Sequence, residues 1–430
     1  MSTEIQEPQD EIESHAAELA APDVIAGSLG EYARIWWTRV RGGESGALPV
    51  ILGLIAIVAY FDIRTHLFLS AGNLVNLIDQ AAWIVTLGMA EVFVLLLGEI
   101  DLSIGYSAIC GAVIAVWMVS PGEGFPWWVA ALAGIAMPAA YSGLQAVIIT
   151  WLRLPSFVVT LAGLLMGQGL LLFLVNVAAP NSGGTIRLPD TNILSYIEGG
   201  EMSPVAGWIV MAAAVILAGA IFVVRDSRRR ASNLAAPPMS VTALKVAVMA
   251  VAGVVVVLIG NTNRGVTNVL RGVPWVVLVV LVVLVLWSTL LGRTKFGRYV
   301  YAIGGNAEAA RRAGISLSRV RIIAFALAGA TAGIMGIILA SQLGSISNNI
   351  DGGQNVLYAV AAAVIGGTSL FGGRGRMLGA VLGGLIVAVI YNGLELLGLG
   401  AAAQDMWTAA VLLAAVTVDT LARRRRPDAS

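Results

Sequence analysis

The 430-residue chain is 58% apolar and only 12% charged, with a net charge of +1 and a mean hydropathy of +0.86. Soluble domains carry about 25% charged residues, so this chain has too few to coat a water-facing surface, and its polar clusters between long apolar runs fit a protein solvated by lipid. The charge balance suggests no nucleic-acid partner, the single Cys110 excludes an intrachain disulfide, and His15 and His66 lie outside the apolar runs, which leaves no histidine-based metal site or proton relay in the membrane.

The first 31 residues carry eight acidic and no basic side chains, the reverse of a signal-peptide n-region, so no cleavable signal is expected. Residues 1–27 read as a disordered acidic cytoplasmic tail. Residues 28–47 read as an interfacial amphipathic segment. Ser28 and Glu31 have capping-box spacing, Tyr32, Ile35, Trp36 and Val40 share a helical face, and Arg34, Arg39 and Arg41 lie nearby.

Apolar segments then recur at 48–61, 80–98, 102–119, 127–151, 156–178, 204–224, 242–260, 273–291, 320–343, 356–371, 377–397 and 406–421. A full span needs about 20 residues. Several segments are shorter, so the reading is an all-α, polytopic transmembrane domain over 48–421. It has about 10–12 helices, some broken or re-entrant. With the N-terminus inside and every segment crossing, 22 lysines and arginines fall inside and only Arg64, Arg187, Arg264 and Arg271 outside. That asymmetry puts both termini in the cytoplasm, the second as a basic tail over 422–430. The largest outside loop is 179–203; the largest inside loops are 225–241 and 292–319.

The only lysines, Lys245 and Lys295, follow Leu244 and Thr294, so the chain has no nucleotide-binding P-loop. The loop 292–319 holds Gly304-Gly305 as a chain break and Asn306 as an N-cap. Glu308 suits the positive end of a short helix, Arg311 and Arg312 the negative end, and Gly314 its stop. This helix, with Ala309 on it, is either a capped connector or a docking element for a motor subunit.

Glu99, Asp101 and Ser103 stand between apolar runs, with Glu91 upstream. Intramembrane acids are costly and mark functional candidates. They can relay protons, cap a broken helix or act as an acid–base pair. The flanking glycines and the lack of a neighbouring histidine or basic residue favour capping. Gly366, Gly367, Thr368, Gly372 and Gly373 indicate a turn or unwound gate segment near the inner face, while Gly375, Gly379 and Gly383 allow close helix approach. Gln168, Asn176, Gln342, Asn355, Tyr358 and Asn392 are the polar candidates for a hydrated substrate path. No catalytic residue or metal ligand is expected.

Five runs occur in order: EIDLSIG from Glu99, PSFVVTLAG from Pro155 to Gly163, RGVP from Arg271 to Pro274, FGRYVYAIGGNAEAARRAGI from Phe296 to Ile315, and VIGGTSLFGG from Val364 to Gly373. Together, over roughly 48–421, they resemble the permease subunits of ABC importers for monosaccharides, and most of all the xylose-type permeases. The resemblance implies a bacterial inner-membrane protein that is not itself an enzyme. It implies two permease copies, a cytoplasmic ATPase that carries ATP and Mg, and a periplasmic sugar-binding protein. It also implies that Glu308 to Gly314 dock on that ATPase, in a coupling loop over 292–319. The expected cargo is a pentose such as xylose. Two rival readings are a transporter driven by an ion gradient through Glu91, Glu99 or Asp101, and an intramembrane enzyme, which the absence of histidine from the spans opposes.

Overall fold

In the computed structural model the described residues run from Leu48 to Gly400 apart from 181, 233–235 and 266–267, with scattered residues of 30–38 and 402–417 beside them. The two tails, most of the 28–47 segment and most of the 406–421 segment lie outside the described residues. What is described is helical: α1 (Leu48–Thr65), α2 (Ala71–Leu95), α3 (Ile104–Met118), α4 (Trp127–Leu152), α5 (Ser156–Ala178), the short α6 (Tyr196–Gly199), α7 (Pro204–Ala231), α8 (Met239–Asn261), α9 (Trp275–Arg293), α10 (Lys295–Gly305), α11 (Ala307–Arg312), α12 (Leu317–Leu343), α13 (Gly352–Ile365) and α14 (Met377–Leu396). Eight of these (α2, α4, α5, α7, α8, α9, α12 and α14) are long and apolar enough to cross a membrane, and α3 and α13 are shorter apolar helices. The protein is an all-α polytopic membrane protein.

Local chemistry sets the helix starts. Proline stands immediately before α4, α5, α8 and α9 with φ between −58° and −54°. Its fixed φ suits a helix entrance, and its missing N–H is no loss there. Ser70 opens α2, its Oγ accepting from Asn73 N at 3.4 Å. α10 was not foreseen as a helix. Its signal was present in the Thr294 N-cap, whose hydroxyl accepts from Gly297 N at 3.2 Å, and in the buried Val300 and Ile303 on one face.

The chain forms two compact units. One contains the paired helices α7 and α8, held near one end by Asp226, which accepts from Thr242 Oγ at 2.7 Å and pairs with Arg225 at 2.9 Å. The other contains all the remaining helices named above. At its centre α2 and α12 pack on each other; α4 lies against α12 and α3, and α14 against α2 and α13. Close approach is bought by glycine. A Cβ on Gly329 or Gly333 of α12 would meet the backbone of α4 at Pro138–Ala139 or Gly134–Ile135, the small-residue packing expected of helices in lipid.

Two helix–break–helix motifs run through this unit. α2 ends, residues 96–103 turn back, and α3 begins; α12 ends, residues 344–351 turn back, and α13 begins. Each short helix is preceded by an Ile-Asp pair, Ile100-Asp101 and Ile350-Asp351. The two short helices start together, since a Cβ on Gly105 would strike the carbonyl oxygen of Gly352. Glu99, just past the end of α2, pairs with Arg321 near the start of α12, so the long helices are antiparallel and the second motif is the first inverted. A two-stranded antiparallel pairing of β1 (Thr185–Arg187) with β2 (Ser345–Ser347) closes the end where α12 finishes.

Candidate functional site: exposed helix, junction and polar core

α11 is exposed apart from Ala310. Asn306 Oδ1 accepts from Ala309 N at 2.9 Å, and Gly314 sits at φ +82° just beyond the end. Glu308 accepts from Arg311 at 2.8 Å and from Arg312 at 3.1 Å. Hydrogen bonds from Arg311 and Arg312 hold its carboxyl below the usual glutamate range. Asn306, Glu308, Ala309, Arg311, Arg312 and Gly314 thus form one capped, charged and exposed element.

Its base is tied to both broken motifs. Gly373 N donates to Leu96 O at 2.9 Å. A Cβ on Gly304 would strike both Leu96 O and Gly373 N, and one on Gly98 (φ +76°) would lie 3.2 Å from Phe371 O. Three chain segments therefore meet backbone to backbone: the end of α2, the end of α10 and the turn after α13. Tyr301 Oη adds a bond to Gly375 O at 2.9 Å. Gly366 and Gly367 begin that turn, Gly372 (φ +86°) and Gly373 (φ +73°) end it, and the buried Thr368 donates its N–H to Ala363 O at 2.9 Å.

Beside the junction lies a buried polar network. Asp101 is fully buried. Its Oδ1 accepts from Ser103 N at 2.9 Å and from Ser103 Oγ at 2.6 Å, and its Oδ2 from Ser142 Oγ at 3.0 Å. Gln145 Nε2 donates to Ser103 Oγ at 2.7 Å, and Asp101 N donates to Glu91 Oε1 at 3.3 Å. Asp101 therefore holds Ser103, the residue immediately before α3, by both its N–H and its hydroxyl. Glu99 is not without a basic neighbour: the fold brings it Arg321, far off in sequence.

At the other end of the bundle Glu198 is buried, its N–H donating to Ser341 Oγ at 3.0 Å. Burial, with Asp79 beside it, pushes its carboxyl up to about 10. Glu201 pairs with Arg264, which also donates to Gly272 O at 3.2 Å.

The polar candidates divide. Asn355 and Tyr358 lie buried on α13 and Asn392 on α14. Asn392 donates to Gln80 Oε1 at 3.0 Å and accepts from Asn73 at 2.9 Å. Gln168 and Asn176 are exposed on α5, and Gln342 is half-buried near the end of α12. Asp351, which the sequence reading passed over, starts α13: its Oδ1 accepts from Gly353 N at 2.8 Å, Gln354 N at 3.2 Å and Tyr106 Oη at 3.3 Å.

Comparison with known proteins extends over nearly the whole chain. It is 35% identical over 382 residues to the xylose transport system permease protein XylH of Haemophilus influenzae, covering 87% of this chain and 96% of that one. It is 34% identical over 395 residues to XylH of Escherichia coli, covering 89% and 96%. The ribose import permease protein RbsC of Escherichia coli is 29% identical over 387 residues, covering 90% and 96%. No solved structure matches the chain. Residues 73–416 match the family described as branched-chain amino acid transport system / permease component, a component of transport systems rather than an enzyme family, and the chain belongs to it.

Proposed function

We propose that this chain is the membrane-spanning subunit of an ATP-driven importer of a pentose such as xylose. It works as two copies in a bacterial inner membrane, with both termini in the cytoplasm. A cytoplasmic ATPase carries ATP and Mg, and a sugar-binding protein delivers cargo from outside. The likeness to xylose permeases along 96% of their length supports the sugar.

The observation that carries the coupling is the stapled, exposed α11, whose base at Gly304 meets the first break at Leu96–Gly98 and the turn after α13 at Gly373. A charged helix held this way can pass a partner's displacement to α3 and α13 together, without an intervening flexible loop. Asn306, Glu308, Ala309, Arg311, Arg312 and Gly314 form the docking element. Glu99, Asp101 and Ser103 lie in the first break, and Gly366, Gly367, Thr368, Gly372 and Gly373 form the gate turn that follows α13. The remaining polar side chains, Gln168, Asn176, Gln342, Asn355, Tyr358 and Asn392, line or brace the path.

The test is uptake of labelled xylose in cells lacking and regaining this chain. One sample has its proton gradient collapsed with ATP retained; another has ATP depleted with the gradient retained. Uptake that follows ATP is expected. Uptake that follows the gradient overturns the reading and turns attention to Glu91, Glu99 and Asp101.

A further inference from the structure

One face of α13 carries Asp351, Asn355 and Tyr358 at the spacing i, i+4, i+7, with Gln354 beside them. Such residues lie one above another on a helix. The start of this stripe sits inside the bundle rather than at its end. Gly352 meets Gly105 at the start of α3, and one turn on, Ala108 lies against Gly336 of α12, seven residues before that helix ends at Leu343. An exposed carboxylate at that depth has no business facing hydrocarbon, and Asp351 is exposed.

Exposure falls along the stripe. Asp351 is open, Gln354 half-buried and Tyr358 3% exposed. The polar groups are linked: Tyr106 Oη reaches Asp351, and Gln354 Nε2 donates to Tyr358 Oη at 3.1 Å. Below them the Tyr358 ring meets Trp83 at 5.9 Å and Tyr391 at 6.2 Å, both edge to face. Asn355, 7% exposed, has an amide nitrogen with no hydrogen-bond partner among the described residues. Buried amides are seldom left so.

We propose that the α13 stripe is the monosaccharide subsite of this permease: Asp351, Gln354 and Asn355 hydrogen-bond the hydroxyls of an uncharged sugar, and the Tyr358–Trp83–Tyr391 cluster is the stop on which it rests. This rests on the importer reading above and names the part of the path that contacts the cargo. A carboxylate accepts sugar hydroxyls more strongly than a neutral oxygen, amides both donate and accept, and aromatic faces suit the C–H surface of a sugar ring. The site needs no charge on its ligand, since Asp351 already accepts two N–H bonds at the start of α13.

Two measurements test it, in a Cys110→Ala background reconstituted with its ATPase and binding protein. The first is xylose transport by Asp351→Asn and Tyr358→Phe. Asparagine caps helices as well as aspartate does, so Asp351→Asn keeps α13 while weakening the hydroxyl acceptor; a transport loss of about tenfold is expected from losing a charge-assisted hydrogen bond. The second is labelling of Gln354→Cys with a membrane-impermeant thiol reagent, with Leu357→Cys, one turn on and off the Asp351–Asn355–Tyr358 stripe, as control. Gln354→Cys should label from outside and be protected by millimolar xylose; Leu357→Cys should show no protection. If wild-type uptake follows ATP while Asp351→Asn transports normally and Gln354→Cys is unprotected, the subsite is wrong and the importer reading stands. If wild-type uptake does not follow ATP, the importer reading itself fails.

Discussion

Glu99 and Arg321 show how one ion pair can orient two long helices. The Glu99 side chain is 11% exposed and Arg321 28%, so desolvation is incomplete and solvent screens part of the attraction. Removing one partner from a fully buried pair costs about 3–5 kcal/mol; here Arg321→Met should cost ~1–3 kcal/mol. Adding Glu99→Gln should return part of that loss, read as melting temperature in detergent for the two singles and the double. Glu198 acts in the opposite sense. Its folded carboxyl is raised to about 10 by burial and by Asp79, so the folded state holds a proton that the unfolded state releases near the ordinary glutamate value. Its contribution is therefore complete at acid pH and falls as pH rises from about 4 to about 10. Glu198→Gln, which mimics the protonated form, should flatten the decline in melting temperature between pH 6 and 9. An unchanged profile would mean that Glu198 does not carry that dependence.

At the scale of elements, the helices follow from the chain's own chemistry more closely than their partners do. α11 is legible because Asn306, Glu308, Arg311, Arg312 and Gly314 lie within nine residues and act on one another or on the local backbone. α10 was obscured because Gly304 and Gly305 read as a break, whereas they end a helix and let Leu96 and Gly373 approach. The Arg321–Glu99 pair and the Tyr106–Asp351 bond were not legible, because each joins side chains that only the tertiary fold brings together. Asp351 itself was passed over because it stands in a polar stretch, Ser345 to Gln354, that reads as an ordinary loop. Asp101→Ala removes the acceptor for Ser103 N, Ser103 Oγ and Ser142 Oγ. It should destabilise the protein by roughly 2 kcal/mol or more, since each orphaned donor costs about 1–3 kcal/mol before relaxation; a stable but inactive Asp101→Ala protein would point to proton transfer instead. Glu308→Arg combined with Arg312→Glu should reduce co-purification of the ATPase while membrane insertion persists, and undiminished co-purification would place docking elsewhere.

At the scale of the molecule, the chain leaves the larger unit at Met202 and returns at Asn263, and within that unit Glu201 is already paired with Arg264 and bridged to Pro274. The two ends are thus held side by side by contacts that do not involve α7 or α8. Replacing residues 204–261 by a short Gly/Ser linker should leave the larger unit folded and inserted, with a cooperative melt; loss of the melt would show that the helix pair is needed for folding. The inverted motifs differ in one respect that has a bearing on energy. The Asp101 side chain is fully buried, whereas Asp351, which caps α13, is exposed. Any motion that exchanged the environments of the two breaks would bury the Asp351 carboxylate as it exposed that of Asp101, so the desolvation lost at one aspartate would be offset at its counterpart.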